Sequence, residues 1–105
     1  AREQAAIARR VDVNHQLAAN LKFALFGYRD AERKISLYRG NLVPQAKSAL
    51  TIALKSYENG NADFLETVDA QRLLFEFQLQ AERSAADREQ RLAEIDLILG
   101  TKDQP

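Results

Sequence analysis

The side chains able to do chemistry are few, and most of them gather around one turn. Glu58, Asp63, Glu66 and Asp69 flank Asn59-Gly60-Asn61, and no basic residue lies between Glu58 and Asp69. Asp63, Glu66 and Asp69 recur at i, i+3 and i+6, a spacing that lets carboxylates share a helix face and attract a divalent cation. The rest of the chain supplies little to complete such a site. With no cysteine, disulfide scaffolds, thiol chemistry and Cys-based zinc sites are removed, and the redox compartment stays open. His15 is the single histidine, so no His-based ligand set forms within one chain. Without histidine or a second acidic motif on a facing helix, a diiron-type bundle is also ruled out. The carboxylates therefore point to electrostatics. No enzyme, metal or cofactor is expected.

The elements that position these residues follow from composition. The 105 residues allow one domain. Alanine supplies 17 of the 48 apolar residues, so the apolar volume is thinner than the hydrophobic share suggests. Ala, Glu, Lys, Leu and Arg make 54 of the 105, about the half that marks long helices or coiled coils. Four glycines and two prolines are too few for many short strands and turns, so a Rossmann domain, a β-sandwich and a disordered tail all fit poorly. Zero net charge argues against a dedicated nucleic-acid binder. No run of about 18 apolar residues exists, so no helix is expected to span a membrane. With no signal peptide and no methionine, the chain reads as processed or as a piece of a larger protein.

In the first half, Ile7, Val11, Leu17, Leu21, Leu25, Tyr28, Ile35, Tyr38, Leu42, Ala49, Ala53 and Tyr57 follow a spacing of three to four once skipped positions such as Asn14 and Glu32 or Ala31 are counted. This predicts one helix over about residues 2–58, roughly 85 Å at 1.5 Å per residue. A second register of Phe23, Phe26, Leu37, Val43, Leu50 and Leu54 widens the stripe beyond a coiled-coil seam and asks for more than one neighbour. Pro44 interrupts the pattern. Its ring meets the carbonyl four residues back, at Gly40, so the reading is a kink or local bulge near Gly40–Pro44, with a true break into two helices as the alternative.

Asn59-Gly60-Asn61 is the strong turn signal, with Gly60 able to take the left-handed conformation that ends a helix. Asp63 followed by Glu66 has the capping-box spacing. A second helix is expected over about residues 63–99, ended by Gly100 and followed by a frayed tail at 101–105. Its packing face is read as Phe64, Val68, Phe75, Leu79, Ala86, Leu92 and Ile95 or their neighbours. The fold class is thus all-α, a long antiparallel, coiled-coil-like hairpin with its tip at 59–62. Pairing about Gly60 sets Tyr57 near Phe64, Leu50 near Arg72, Leu42 near Leu79 and Leu21 near Gly100. The first 20 or so residues then have no partner in this chain and must be disordered, solvated or packed on another chain, and their continuing apolar spacing favours another chain. Residues 1–55 carry net charge +6 and residues 56–105 carry −6, a division that steers two antiparallel helices into register at a few tenths of a kcal/mol per exposed pair.

The run Tyr57–Leu74, YENGNADFLETVDAQRLL, resembles the second periplasmic hairpin of the TolC-like outer membrane factor (outer membrane efflux protein) family. The family pattern is an aromatic residue, a short step to glycine, an apolar pair, an acidic position and a Leu/Val-Asp-Ala-Gln-Arg run. In this sequence these are Tyr57, Gly60, Phe64-Leu65, Glu66 and Val68-Asp69-Ala70-Gln71-Arg72. Upstream, LYRGNLVPQAKSAL is similar to the heavy-metal efflux branch, and the closing run to Gly100 matches the family's last helix.

The resemblance implies a homotrimeric exit duct of a tripartite efflux pump, with an outer-membrane β-barrel continuing into a periplasmic tunnel of helices. Residues 1–100 would be one periplasmic hairpin of that tunnel, and the N-terminal overhang would pack on other parts of the protein. The localisation implied is the outer membrane and periplasm of a Gram-negative bacterium. By position, Glu66 and Asp69 match the acidic ring of the entrance constriction, with Tyr57 in the lock of the closed state. Asn59, Gly60 and Asn61 would meet the periplasmic adaptor (membrane fusion) protein. The inner-membrane pump would be an indirect partner. Ala62 occupies the place where some members carry a basic residue. The residues also bear plainer readings: Glu66 as a capping-box acceptor, Asp69 on a solvated face, Tyr57 as a packing residue, and 59–61 as any tight turn.

Two functions remain in contention. One is a passive conduit segment of an efflux channel; the other is a coiled-coil adaptor hairpin, like that of a membrane fusion protein, acting only in assembly. A lone hairpin would leave a large apolar stripe wet, so the chain is expected to self-associate through its overhang and outer flank. Sedimentation at several concentrations checks this, and a clean monomer throughout removes the expectation.

Overall fold

The computed structural model describes residues 2–103, with side chains over 2–100. Among the described residues only 59–63 are not helical. Helix α1 spans Arg2–Leu37, one π-helical turn spans Tyr38–Leu42, α2 spans Val43–Glu58 and α3 spans Phe64–Asp103. The fold is therefore an all-α helical hairpin with its loop between α2 and α3. Gly100, the expected terminator, is instead helical, and α3 continues to Asp103. Among the described residues Gly60 alone takes a positive φ, so Gly100 keeps an ordinary helical backbone and cannot cap the helix in the left-handed manner. Gln104 and Pro105, the end of the expected tail, lie outside the described residues.

The irregularity expected near Gly40–Pro44 is a bulge and not a break. Leu37 and Val43 keep right-handed helical dihedrals on either side of the π turn. The Val43 N–H reaches back five residues to the Tyr38 carbonyl. Pro44 stands in the first turn of α2, so its missing N–H falls where the ladder passes from five-residue to four-residue bonds.

The chain divides into two compact units. In the unit Ala31–Ala86, the buried and half-buried positions of α3 are Thr67, Ala70, Leu74, Phe77, Ala81 and Ser84, at alternating steps of three and four, with Val68, Gln80 and Ala85 half-buried beside them. That is the 3.5-residue period of a coiled-coil seam. Opposite them, Ala31, Ile35, Tyr38, Leu42, Val43, Ala46, Leu50 and Ala53 are buried or half-buried. The Tyr38 and Phe77 rings meet at 6.0 Å between centroids, and Arg39 pairs with Glu82 at 3.2 Å on the exposed flank. The Arg39–Glu82 pair agrees with the antiparallel register expected about Gly60, whereas Tyr38 meets Phe77, six positions nearer the turn than that register sets.

The second unit joins the stretch up to Asp30 with that from Asp87 onward. Residues 2–16 are all exposed, and half-burial begins at Leu17. Ala24 and Ile95 are buried. Arg91 stands at a seam position with its guanidinium 5.3 Å from the Phe23 ring centroid, and Nη1 pairs with Glu94 at 3.2 Å. Gly27 makes room for it, because a Cβ there would lie 2.8 Å from the Arg91 Nε.

The expected packing face of α3 is largely corrected. Ile95 is buried and Val68 half-buried, but Phe64, Phe75, Leu79, Ala86 and Leu92 are exposed, Phe75 by 64%. On the first arm, Ile7, Val11 and Leu25 are exposed as well, while Ala24, Ala31, Val43 and Ala46 are buried in their place. The physical reason is backbone proximity. Alanine, serine and threonine at the most buried seam positions let two helices approach closely there, and bulkier seam residues such as Leu74 and Phe77 are only half-buried. Of the second register, Val43 and Leu50 join the seam, whereas Phe23, Phe26, Leu37 and Leu54 stay exposed.

This arrangement predicts an inverted response to size. Ala81→Leu is expected to destabilise the chain by about 1–3 kcal/mol through overpacking. Phe75→Ser, despite losing a large apolar group, should stay within about 0.5 kcal/mol of the parent. Thermal unfolding at low protein concentration checks both, and the reverse order would sink the small-residue seam.

Candidate functional site

The acidic turn is built first by the way α2 stops. Gly60 takes φ +74°, and two hydrogen bonds close the helix end around it. The Gly60 N–H donates to the Tyr57 carbonyl at 3.0 Å, and the Asn61 N–H donates to the Ser56 carbonyl at 2.8 Å. This pair of bonds is the Schellman motif, which satisfies carbonyls that the helix end would otherwise leave without donors. Asn59, Gly60 and Asn61 are all exposed on the loop.

Two contacts return the chain onto α3. The Tyr57 and Phe64 rings lie 5.2 Å apart at 59°, a tilted arrangement worth about 0.5–1.5 kcal/mol beyond area burial. Thr67 is buried, and its hydroxyl donates to the Ala53 carbonyl at 3.4 Å. Tyr57 is 46% exposed, so its ring packs on Phe64 while one side stays open to solvent. Sequence reasoning missed Thr67. Its only signal is position, as the first residue of the three-and-four series on α3.

The start of α3 is secured by the main chain. The Glu66 N–H donates to the Asp63 carbonyl at 3.1 Å, so the main-chain carbonyl takes the donor that a capping box would give to the Asp63 carboxylate. The Glu66 side chain is left exposed, as are Glu58, Asp63 and Asp69. Among the described residues none of these four carboxylates takes part in an ion pair. Glu66 and Asp69 are neighbours on the surface of α3 at i, i+3. Asp63 precedes the first helical residue, Phe64, so it does not continue their row. No group of three or more acidic or histidine side chains among the described residues is arranged to hold a metal ion. The i, i+3, i+6 spacing thus yields an exposed, negatively charged surface.

Chemically the turn can attract cations, repel anions and offer an exposed loop to a partner. The geometry of Gly60 gives a direct test. Gly60→Ala forces a side chain into the left-handed region and should cost about 1–2 kcal/mol. Gly40→Ala, where an added Cβ meets nothing within 4 Å, should be neutral or stabilising by up to about 1 kcal/mol. Chemical denaturation of the two variants decides it, and equal effects would overturn the role given to the turn.

Comparison with known proteins matches the whole of this architecture to one family. No curated protein and no solved structure matches the chain. No described helix is long and apolar enough to cross a membrane. The profile described as "Outer membrane efflux protein" matches residues 1–101, which covers both arms of the hairpin and the acidic turn between them. That family is one of transport channels of the Gram-negative outer membrane and periplasm, not of enzymes, and the chain belongs to the outer membrane efflux protein family.

Proposed function

We propose that the chain forms part of the periplasmic tunnel of a trimeric outer membrane efflux channel serving a tripartite export pump. In this reading it is a passive conduit whose entrance narrows at the hairpin turn. The observation that carries it is the turn itself: four exposed carboxylates with no basic residue from Glu58 to Asp69, in a chain that matches the efflux family over residues 1–101. Three copies around one axis would bring Glu66 and Asp69 into a ring of carboxylates. Such a ring concentrates cations at the mouth of a pore and disfavours anions. Tyr57, packed on Phe64 with one side open, stands beside that ring as part of the closed constriction.

Asn59, Gly60 and Asn61 form the surface offered to the periplasmic adaptor protein, and an inner-membrane pump supplies the transport energy. The exposed outer aromatics support a wall of helices. Phe23 is 66% exposed and Phe26 73%, an arrangement suited to adjoining helices and poorly suited to water. The exposed helical stretch 2–16 fits the same reading, with neighbours from other parts of the channel. The similarity of the segment LYRGNLVPQAKSAL to the heavy-metal efflux branch supports a channel of that branch.

The test is made in the full-length channel, reconstituted in planar bilayers. Replacing Glu66 and Asp69 together by alanine is expected to lower cation selectivity. It should also weaken block by multivalent cations about tenfold, equivalent to losing ~1.4 kcal/mol of attraction. Unchanged conductance, selectivity and block would remove the constriction role from these residues.

A further inference from the structure

We infer that the π turn at Tyr38–Leu42 is a one-residue phase adjuster that decides which face of α2 meets α3, and that the seam, rather than Pro44, holds it in place. Upstream of the turn the seam runs Ala31, Ile35, Tyr38, at steps of four and three. Continued without interruption, it would reach Leu42, Gln45, Ala49, Ile52 and Ser56. Gln45, Ala49 and Ile52 are instead exposed, Ile52 by 65%. In their place Ala46 is buried and Leu50 and Ala53 are half-buried, each one residue further along. Leu42 and Ser56, at the two ends of the stretch, are half-buried as well, and Tyr57, 46% exposed, lies against Phe64.

One residue is about 100° of rotation in an α-helix, and a π turn takes up one extra residue. The size of the phase shift and the type of turn therefore agree. On α3 the series Thr67, Ala70, Leu74, Phe77, Ala81, Ser84 keeps its alternation without a gap, so the extra residue belongs to one strand of the pair only. It must be absorbed locally. The turn is suited to that: it contains no buried residue, and Gly40 within it faces open space. The result is that Tyr57 faces Phe64 and the Ala53 carbonyl faces the Thr67 hydroxyl. Without the shift Ile52 would take the place of Ala53 opposite Thr67, with α2 rotated by about 100°. Proline explains a lost hydrogen bond, but it does not explain a change of phase.

The absence of native cysteine makes disulfide trapping a clean reporter of this rotation. In the parent chain, Ala53→Cys with Thr67→Cys is expected to cross-link, and Ile52→Cys with Thr67→Cys is not. Pro44→Ala should leave that pattern unchanged. Deleting Gly40 in the Pro44→Ala chain removes the extra residue, so the 53/67 cross-link should persist and the chain should melt no lower than Pro44→Ala itself. Deleting exposed Gln78 on the same background instead throws the α3 series out of phase and should lower the melting temperature. A switch of cross-linking to position 52 in Pro44→Ala would overturn the inference. So would a Gly40 deletion as damaging as the Gln78 deletion. If neither deletion chain folds, the cross-link pattern of Pro44→Ala decides alone.

Discussion

The close approach of paired helices through small side chains is the constraint from which the other features follow. Ala24, Ala31, Ala46 and Ala81, with Thr67 and Ser84, occupy the most buried positions, and no large side chain is fully buried among the described residues. A buried methyl group contributes only about 0.8 kcal/mol, so such a seam is weak per residue and depends on continuous fit along its length. A helix that loses phase by one residue turns its small face away and presents a polar or bulky one. The three-and-four alternation of α3, and the π turn that keeps α2 in step with it, are two sides of that requirement. The same constraint sends Phe23, Phe26, Phe75 and Leu97 outward. A wall of adjoining helices can use those aromatics; a solitary domain would be left with them in water.

Polar groups within the seam reinforce phase more than they add strength. The Thr67 hydroxyl has its acceptor only where the Ala53 carbonyl is presented to it. Arg91 can occupy a seam position because Gly27 leaves room for its stem, Phe23 lies under its guanidinium, and Glu94 takes its Nη1. Its Nε, buried without a hydrogen bond, lies 3.7 Å from an Asp87 carboxylate oxygen. A slip of either helix would leave a charge without this set of partners, which is costly in proportion to burial. Buried polar residues at core positions of coiled coils specify register at some cost in stability. Thr67 acts so in one unit and Arg91 in the other.

Much of the fold was legible in the residues, and the illegible part has one cause. Asn59-Gly60-Asn61 marked the turn because only glycine enters the left-handed region freely, and Gly60 does so. Pairing about that turn then set Tyr57 beside Phe64, as observed. Gly40 and Pro44 marked an irregularity, yet its phase shift could not be read from one helix alone, since the shift exists only relative to the seam of the partner. The inward face was misread for a related reason. Hydrophobic periodicity weights Phe75, Leu79 and Leu92 above Ala81 and Ser84, whereas the packed helices select by size. At the site, the carboxylate cluster was plain from composition, but the capping role offered to Asp63 was not taken up by its carboxylate. The main chain had already supplied an acceptor to the Glu66 N–H.

The charge pattern connects this packing to transport. Net charges of +6 and −6 on the two halves cancel in the sum, but not at the turn, where Glu58, Asp63, Glu66 and Asp69 have no base among them. In one copy their effect is small. Each carboxylate is exposed, and at physiological ionic strength its field is screened over about 8 Å. Only convergence changes the balance. Where several copies bring the same carboxylates within a Debye length of one axis, with low-dielectric helix walls around them, the fields add and focus instead of being screened separately. An acidic turn is thus a poor cation site by itself and gains strength only where copies converge. Its orientation toward such an axis depends on the azimuth of α2 and α3, and hence on the same seam that holds the two helices in phase.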